Sequence, residues 1–147
     1  MPKIVTFGEV LLRLSTPNFQ KIEQATSFNA TFGGTEMNVG ASLVKFGFEA
    51  AHATTFPNNL VGQKAKAFLR QLDIDTSHVI LEGDRIGVFF LETGAVMRAS
   101  QIVYDRADSS FANINPDLFN WEEILAGADW FHWCGITPAI SEGAAKA

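Results

Sequence analysis

Short apolar runs and polar breaks alternate along this chain at the lengths of strands and helices. Residues 3–7 are a β-rich run ended by Gly8. Residues 10–14 are a second apolar run ahead of the Ser15-Thr16-Pro17-Asn18 turn. Residues 20–30 are mixed, which predicts irregular chain or a short edge strand. Gly33-Gly34 breaks the chain before a helix that Thr35 can cap and Gly47 can end. Met37, Ala41 and Val44 form one stripe of that helix, and Val39, Leu43 and Phe46 another. With few charges on any side, this helix is expected to be buried. Residues 50–56 read as a strand. Val61, Ala65, Phe68, Leu69 and Leu72 then recur at helical spacing with Lys64, Lys66 and Arg70 opposite, which predicts a half-exposed helix.

Three more segments have strand character: residues 78–81, 86–93 and 101–106. Turn-rich pieces separate them, which predicts a meander of antiparallel strands. Asn115-Pro116-Asp117 and Asn120-Trp121-Glu122-Glu123 are helix starts, and residues 129–134 are an apolar strand closed by Gly135. The predicted class is α/β: part of a doubly wound sheet, plus a small antiparallel sheet inserted at about residues 10–35 and 76–110. Residues 141–147 open like a helix and stop within two turns, so the chain is expected to be part of a longer one.

Composition narrows the function classes. Apolar residues make up 47% of the chain, enough for a core. The net charge is -5 and no Lys/Arg cluster could follow a phosphate backbone, so nucleic acid is not an expected partner. No signal-peptide run or membrane-length apolar stretch is visible, so no membrane partner is expected and the cytoplasm is the expected location. Cys134 is the one cysteine, which rules out an intrachain disulfide. His52, His78 and His132 lack metal-ligand spacing with one another or with Cys134.

Candidate chemistry concentrates in two places. In Phe32-Gly33-Gly34-Thr35-Glu36-Met37-Asn38, two glycines leave amides uncovered at a helix N-terminus, where hydroxyls, carboxylates or phosphates can bind. Asn38, one turn in, can reach the same spot. A tight turn that simply needs glycine explains the pair as well. The second place is Ile102, Tyr104 and Arg106, alternate residues that share one face of a strand. A phenol beside a guanidinium suits a sugar acid, because arginine pairs with carboxylate in a forked geometry. The competing reading is an exposed salt bridge of Arg106 with Asp105 or Asp108. Gly87, Phe89 and Leu91 share a parity in the preceding strand and can form an apolar wall. Arg98, in the turn between, is expected to be solvated. Trp130 and Trp133 are expected in core or pocket wall, and Cys134 as a small buried residue.

Gly33-Gly34, Asn38, Gly47 and Gly62 together resemble the N-terminal signature of the PfkB/ribokinase carbohydrate kinases. The form Phe-Gly-Gly-x-Glu-x-Asn-Val is similar to that of the 2-keto-3-deoxygluconate kinases. The likeness continues through Phe56 to Gly62, Asp75-Thr76-Ser77, Tyr104-Asp105-Arg106, residues 129–133 and Gly135-Ile136-Thr137-Pro138, in order along essentially the whole chain. The resemblance implies a ribokinase-like fold with a β lid, one sugar-kinase domain of which residues 1–147 are the N-terminal part. It implies transfer of a phosphoryl group from ATP, assisted by Mg²⁺, to a sugar acid. Apolar residues such as Phe90, Ile102 and Val103, in the strands near 86–93 and 101–106, leave the small sheet with a second face to cover, which predicts a homo-oligomer formed through the lid. The resemblance assigns sugar binding to Gly33, Gly34, Asn38, Tyr104 and Arg106. Phe89 stands where relatives often have a tyrosine contacting the sugar, and Gly40 where a small Ala, Ser or Thr is usual. The resemblance places the catalytic base and most of the ATP and Mg²⁺ contacts in a C-terminal half outside these residues, so the chain alone is expected to be inactive. A fructokinase or related sugar kinase, or a non-catalytic sugar-binding or assembly fragment, remain the alternatives.

Overall fold

The computed structural model describes all 147 residues. Its elements run in chain order as β1 (Lys3–Phe7), β2 (Leu11–Ser15), β3 (Asn29–Gly33), α1 (Thr35–Lys45), β4 (Glu49–Phe56), α2 (Leu60–Gln71), β5 (Val79–Leu81), β6 (Val88–Glu92), β7 (Gln101–Asp105), α3 (Trp121–Ile124), β8 (Trp130–His132), α4 (Ile136–Ile140) and α5 (Glu142–Lys146). Two four-stranded sheets result. The main sheet has the order β5-β4-β1-β8 and is parallel throughout. The lid sheet has the order β3-β2-β6-β7. The expected α/β class, with a parallel sheet and a separate small one, is what the chain adopts.

Strand β1 buries all of Ile4-Val5-Thr6-Phe7 because parallel strands are covered on both faces; Thr6, its one polar residue, meets His52 of β4. Alternate residues feed two cores. Val5, Phe7, Ala51 and Ala53 pack with Phe111, Ile114, Phe119 and Ile124 on one face. On the other, Met37, Phe56, Ala65, Leu69 and Ile74 join Val10 and Phe32 from the start of the lid. Asn59 caps α2 by accepting from the amides of Val61 and Gly62, and Gly47 ends α1 at φ 88. Asn115 and Asn120 also cap as expected, although the helices they start run only three and four residues.

Several expectations need correction. Residues 79–81 do not belong to an antiparallel meander: β5 joins the main sheet, parallel to β4. The lid is antiparallel at β2–β3 and β6–β7, but its central β2–β6 pairing is parallel, because the chain reaches β6 only after a crossover through the main sheet. Helix α1 is not enclosed. Only Glu36, Met37 and Gly40 are buried, and Phe46 is 77% exposed, because α1 packs one face on β1 and β4 and nothing covers the other. Trp130 and Trp133 are not core but line the walls of open surface pockets, for a similar reason: β8 is an edge strand. Arg98 is bound rather than free in solvent, although it stays partly exposed. It pairs with Glu92 and donates to the carbonyl of Phe19 at 2.6 Å, tying the β6–β7 turn to the segment after β2.

Gly40 sits in α1 with room to spare. A Cβ there would lie 3.5 Å from Thr6 Oγ1 and 3.8 Å from both Ala50 Cβ and Ile74 Cδ1, all ordinary contacts. Glycine in a helix interior costs about 0.5–1 kcal/mol relative to alanine. Gly40→Ala should therefore raise the free energy of unfolding by about that amount in urea titrations. A loss of stability would mean that the helix-to-sheet packing leaves no space for a methyl group.

Candidate functional site

The chain turns from the main sheet into the lid at Gly8-Glu9-Val10, just past the carboxyl end of β1. There β1 has β4 on one side and β8 on the other, so the strand order reverses at β1: β4 and β5 are laid down to one side and β8 is added on the other. In parallel α/β sheets ligands gather at such switch points. A cleft of about 290 Å³ opens here between the lid, the N-terminus of α1 and the segment after β8. Gly33, Gly34, Asn38, Phe89, Tyr104 and Arg106 all line it.

The lid wall follows from strand register. One cross-strand row holds Thr31, Arg13, Phe89 and Tyr104, paired in succession across β3, β2, β6 and β7. Residues in register share a face, so Arg13, Phe89 and Tyr104 all meet the cleft. The rings of Phe89 and Tyr104 lie 5.8 Å apart, and the Arg106 guanidinium sits 5.6 Å from the centre of the Tyr104 ring. Next along the same face come Leu11, Gly87 and Arg106, which lie against one another at the end of the strands. A Cβ on Gly87 would come within 2.4 Å of Leu11 Cδ2 and 2.6 Å of Glu9 Oε1, so a larger residue there would have to displace these two side chains.

Arg106 pairs with neither Asp105 nor Asp108. Its Nε donates to Glu9 Oε2 at 2.9 Å, and its Nη2 bonds the same oxygen. Asp105 instead holds Arg85 at 2.8 Å. The Glu9 side chain is 2% exposed, and its other oxygen accepts from Ser109 Oγ at 2.6 Å. Arg106 is thus committed along one edge, and its Nη1 and one Nη2 hydrogen remain free.

Thr35 does not cap α1. Gly34 occupies the cap position, and no side chain caps the helix. A Cβ on Gly34 would lie 2.5 Å from the Glu9 carbonyl, which leaves that position to glycine. The first-turn amides are therefore free of any side-chain cap at the cleft. Asn38 follows one turn later, exposed at the cleft, its amide donating to the Gly34 carbonyl at 2.9 Å.

Glu36, in that first turn, is 3% exposed. Its Oε1 accepts from the Cys134 amide at 3.1 Å and from Thr137 Oγ1 at 2.6 Å. Burial alone would raise its pKa, but these hydrogen bonds outweigh burial and hold the carboxyl below its ordinary value. Beneath it, His52 is fully buried on β4, with Nδ1 2.7 Å from Thr6 Oγ1. Burial lowers the His52 pKa to about 4, against a weak opposing pull from the Glu36 charge. Cys134 is half-buried and lines the cleft rather than the core.

Glu9, Arg13, Glu36 and Thr137 were not singled out by the sequence reasoning, although all four line the cleft. Signals for three of them were present. Glu9 follows the glycine that ends a buried strand, Glu36 is an acid in a first helical turn, and Arg13 interrupts the apolar run Leu11-Leu12-Arg13-Leu14.

Comparison with known proteins gives a consistent picture. The pattern of the pfkB family carbohydrate kinases matches residues 1–146. A 2-dehydro-3-deoxygalactonokinase from Haloferax volcanii is 34% identical over 95% of this chain and 44% of its own length. A crystal structure of 2-dehydro-3-deoxygluconokinase from Thermotoga maritima superposes with a TM-score of 0.94 at 46% identity, over 96% of this chain and 43% of the other. A putative 2-keto-3-deoxygluconate kinase from Enterococcus faecalis gives a TM-score of 0.96 at 37% identity, over 100% of this chain and 44% of its own. The chain spans a little under half the length of these relatives. No helix is long and apolar enough to cross a membrane.

The buried histidine has a measurable consequence. Unfolded, His52 binds a proton near its ordinary value of 6.5; folded, only near 4. Between those limits the unfolded state holds more protons, so stability rises with pH and is complete above 6.5. The difference corresponds to about 3 kcal/mol. Urea midpoints should fall steadily as pH drops from 6.5 toward 4, and His52→Asn should flatten that slope. Glu36 adds a further loss only at lower pH, as its depressed carboxyl takes up a proton. A midpoint constant between pH 5 and 6.5 would show that His52 titrates freely.

Proposed function

The chain belongs to the pfkB family of carbohydrate kinases, and from that premise we propose that its cleft holds a 2-keto-3-deoxy sugar acid, 2-keto-3-deoxygluconate in the first place, for phosphorylation by ATP. The named relatives support the class. One is a 2-dehydro-3-deoxygalactonokinase and others are 2-dehydro-3-deoxygluconokinases, and the substrates those names give share a 2-keto carboxylate end. The observation that carries the proposal for this chain is the gathering of Gly33, Gly34, Asn38, Phe89, Tyr104 and Arg106 around one cleft.

In this reading the roles divide by chemistry. The uncapped first turn of α1 and the Asn38 side chain bind sugar hydroxyls and the keto oxygen. Phe89 lies against the carbon chain. Having no hydroxyl, it contributes contact area rather than a hydrogen bond. Arg106 presents its free edge to the carboxylate, and the Tyr104 hydroxyl stands beside it. Glu9 fixes the guanidinium plane, so the fork is oriented before the substrate arrives. A lid formed by β2, β3, β6 and β7 over the sugar excludes water from the reacting hydroxyl. ATP would supply the phosphoryl group and Mg²⁺ would offset charge on its phosphates. No three His, Cys, Asp or Glu side chains of this chain come together to hold a metal. Self-association through the lid belongs to the same proposal: β7 is an edge strand exposed at every residue, with Val103 53% exposed. Sedimentation that finds only monomer at high concentration would remove this part.

Titration calorimetry with 2-keto-3-deoxygluconate, its galactonate epimer and fructose tests the proposal, with both acids expected to bind more tightly than fructose. Equal binding of all three would favour a neutral-sugar kinase. Arg106→Ala would strand the buried Glu9 carboxylate, at a cost of about 3–5 kcal/mol, and confuse stability with binding. Arg106→Lys keeps a cation beside Glu9 but lacks the fork. It should weaken binding of the acids by about tenfold, one lost charge-assisted hydrogen bond, and leave fructose within about twofold. Unchanged affinity for the acids would take Arg106 out of the site.

A further inference from the structure

The cleft contains two guanidinium groups in very different situations. Arg106 is neutralised by Glu9. Arg13, beside Phe89 in the lid row, has no carboxylate within ion-pair distance. Its Nε is buried from solvent and has no hydrogen-bond partner. A buried donor without an acceptor is uncommon in a folded protein and calls for an explanation. The two acids that line the same cleft do not provide one. Glu9 is occupied by Arg106 and Ser109, and Glu36 by the Cys134 amide and Thr137. Strand register gives no escape either. Arg13 shares its side of β2 with Leu11, another cleft residue, while Leu12, on the opposite side, packs against the core. The charge is thus set in the wall of a cleft, its root desolvated and its partner missing.

We propose that Arg13 is a specificity-determining residue of this cleft, supplying the uncompensated positive charge that pairs with the carboxylate of a sugar-acid substrate. The inference rests on the sugar-acid reading above and deepens it. Arg106, tied to Glu9, contributes oriented hydrogen bonds but little net charge. Arg13 contributes the charge, and a bound carboxylate gives its guanidinium the acceptor it lacks.

The test compares Arg13→Gln with Arg13→Lys in the protein, titrating 2-keto-3-deoxygluconate and fructose at low and high salt. Loss of a desolvated charge-assisted pair corresponds to about a 10- to 150-fold weaker association. Arg13→Gln should show that loss for the acid only, leave fructose within about twofold, and reduce the salt dependence of acid binding. Arg13→Lys should recover part of the affinity and most of the salt dependence. Removing an unpaired charge should leave the melting temperature unchanged or raised, and this separates recognition from folding. Two results would overturn the inference: wild-type affinity for the acid in Arg13→Gln, or an equal loss for acid and fructose, which marks a structural role. If the wild type does not bind the acid at all, the sugar-acid reading itself fails, and the inference falls with it.

Discussion

The arrangement of this molecule depends on the buried carboxylate of Glu9. It lies just past β1, where the chain leaves the main sheet for the lid, and it bonds Arg106 and Ser109 about a hundred residues later in sequence. One side chain therefore ties the start of the lid to its far end. Its backbone matters too, since the Glu9 carbonyl lies so close to position 34 that only glycine fits there. A carboxylate this buried is tolerable because both oxygens are satisfied, one by a guanidinium and the other by a hydroxyl. Gly87 completes the arrangement by leaving out a Cβ that would collide with Glu9 itself.

With Glu9 in place, the lid register determines what the cleft contains. The parallel β2–β6 pairing sets a strand from the first fifteen residues against one from the late eighties. Arg13 thereby meets Phe89, and Phe89 meets Tyr104 on β7. A slip of one residue in either pairing would turn these side chains to the outer face and leave the cleft without them. The site is in this sense a product of sheet register as much as of residue choice.

Much of this was legible in the sequence. The β-rich runs at 3–7 and 50–56 marked two strands of the main sheet, and the glycine pair before Asn38 marked the floor of the cleft. Strand alternation placed Tyr104 and Arg106 on one face, as the structure has them. What sequence could not supply was pairing. The segment at 79–81 looks like its neighbours in composition, and only the fold sends it to the main sheet. Arg106 had two nearby acids to choose from, and its partner came from 97 residues away. Phe46 and the open face of α1 misled for the opposite reason. Apolar composition predicts burial, but burial requires a neighbouring layer, and this chain places none against the outer side of α1.

The electrostatics of the cleft sharpen what it can recognise. Its lining carries two acids and two bases, so it does not attract an anion by net charge. What matters is which of the four are already engaged. Both carboxylates are held by protein donors, and the hydrogen bonds to Glu36 keep it ionised in spite of burial. Neither is free to accept from a ligand as its main partner. The groups left facing the cleft are chiefly donors: the Arg13 guanidinium, the open edge of Arg106, the Tyr104 hydroxyl, the Asn38 amide and the uncapped turn of α1. A surface of donors with its acceptors spent favours a ligand rich in oxygen lone pairs. A carboxylate beside a ketone presents more of these in one plane than the ring and hydroxyls of a neutral sugar. Selectivity for a sugar acid can thus arise in a cleft of zero formal charge, because folding has already consumed the negative half of it.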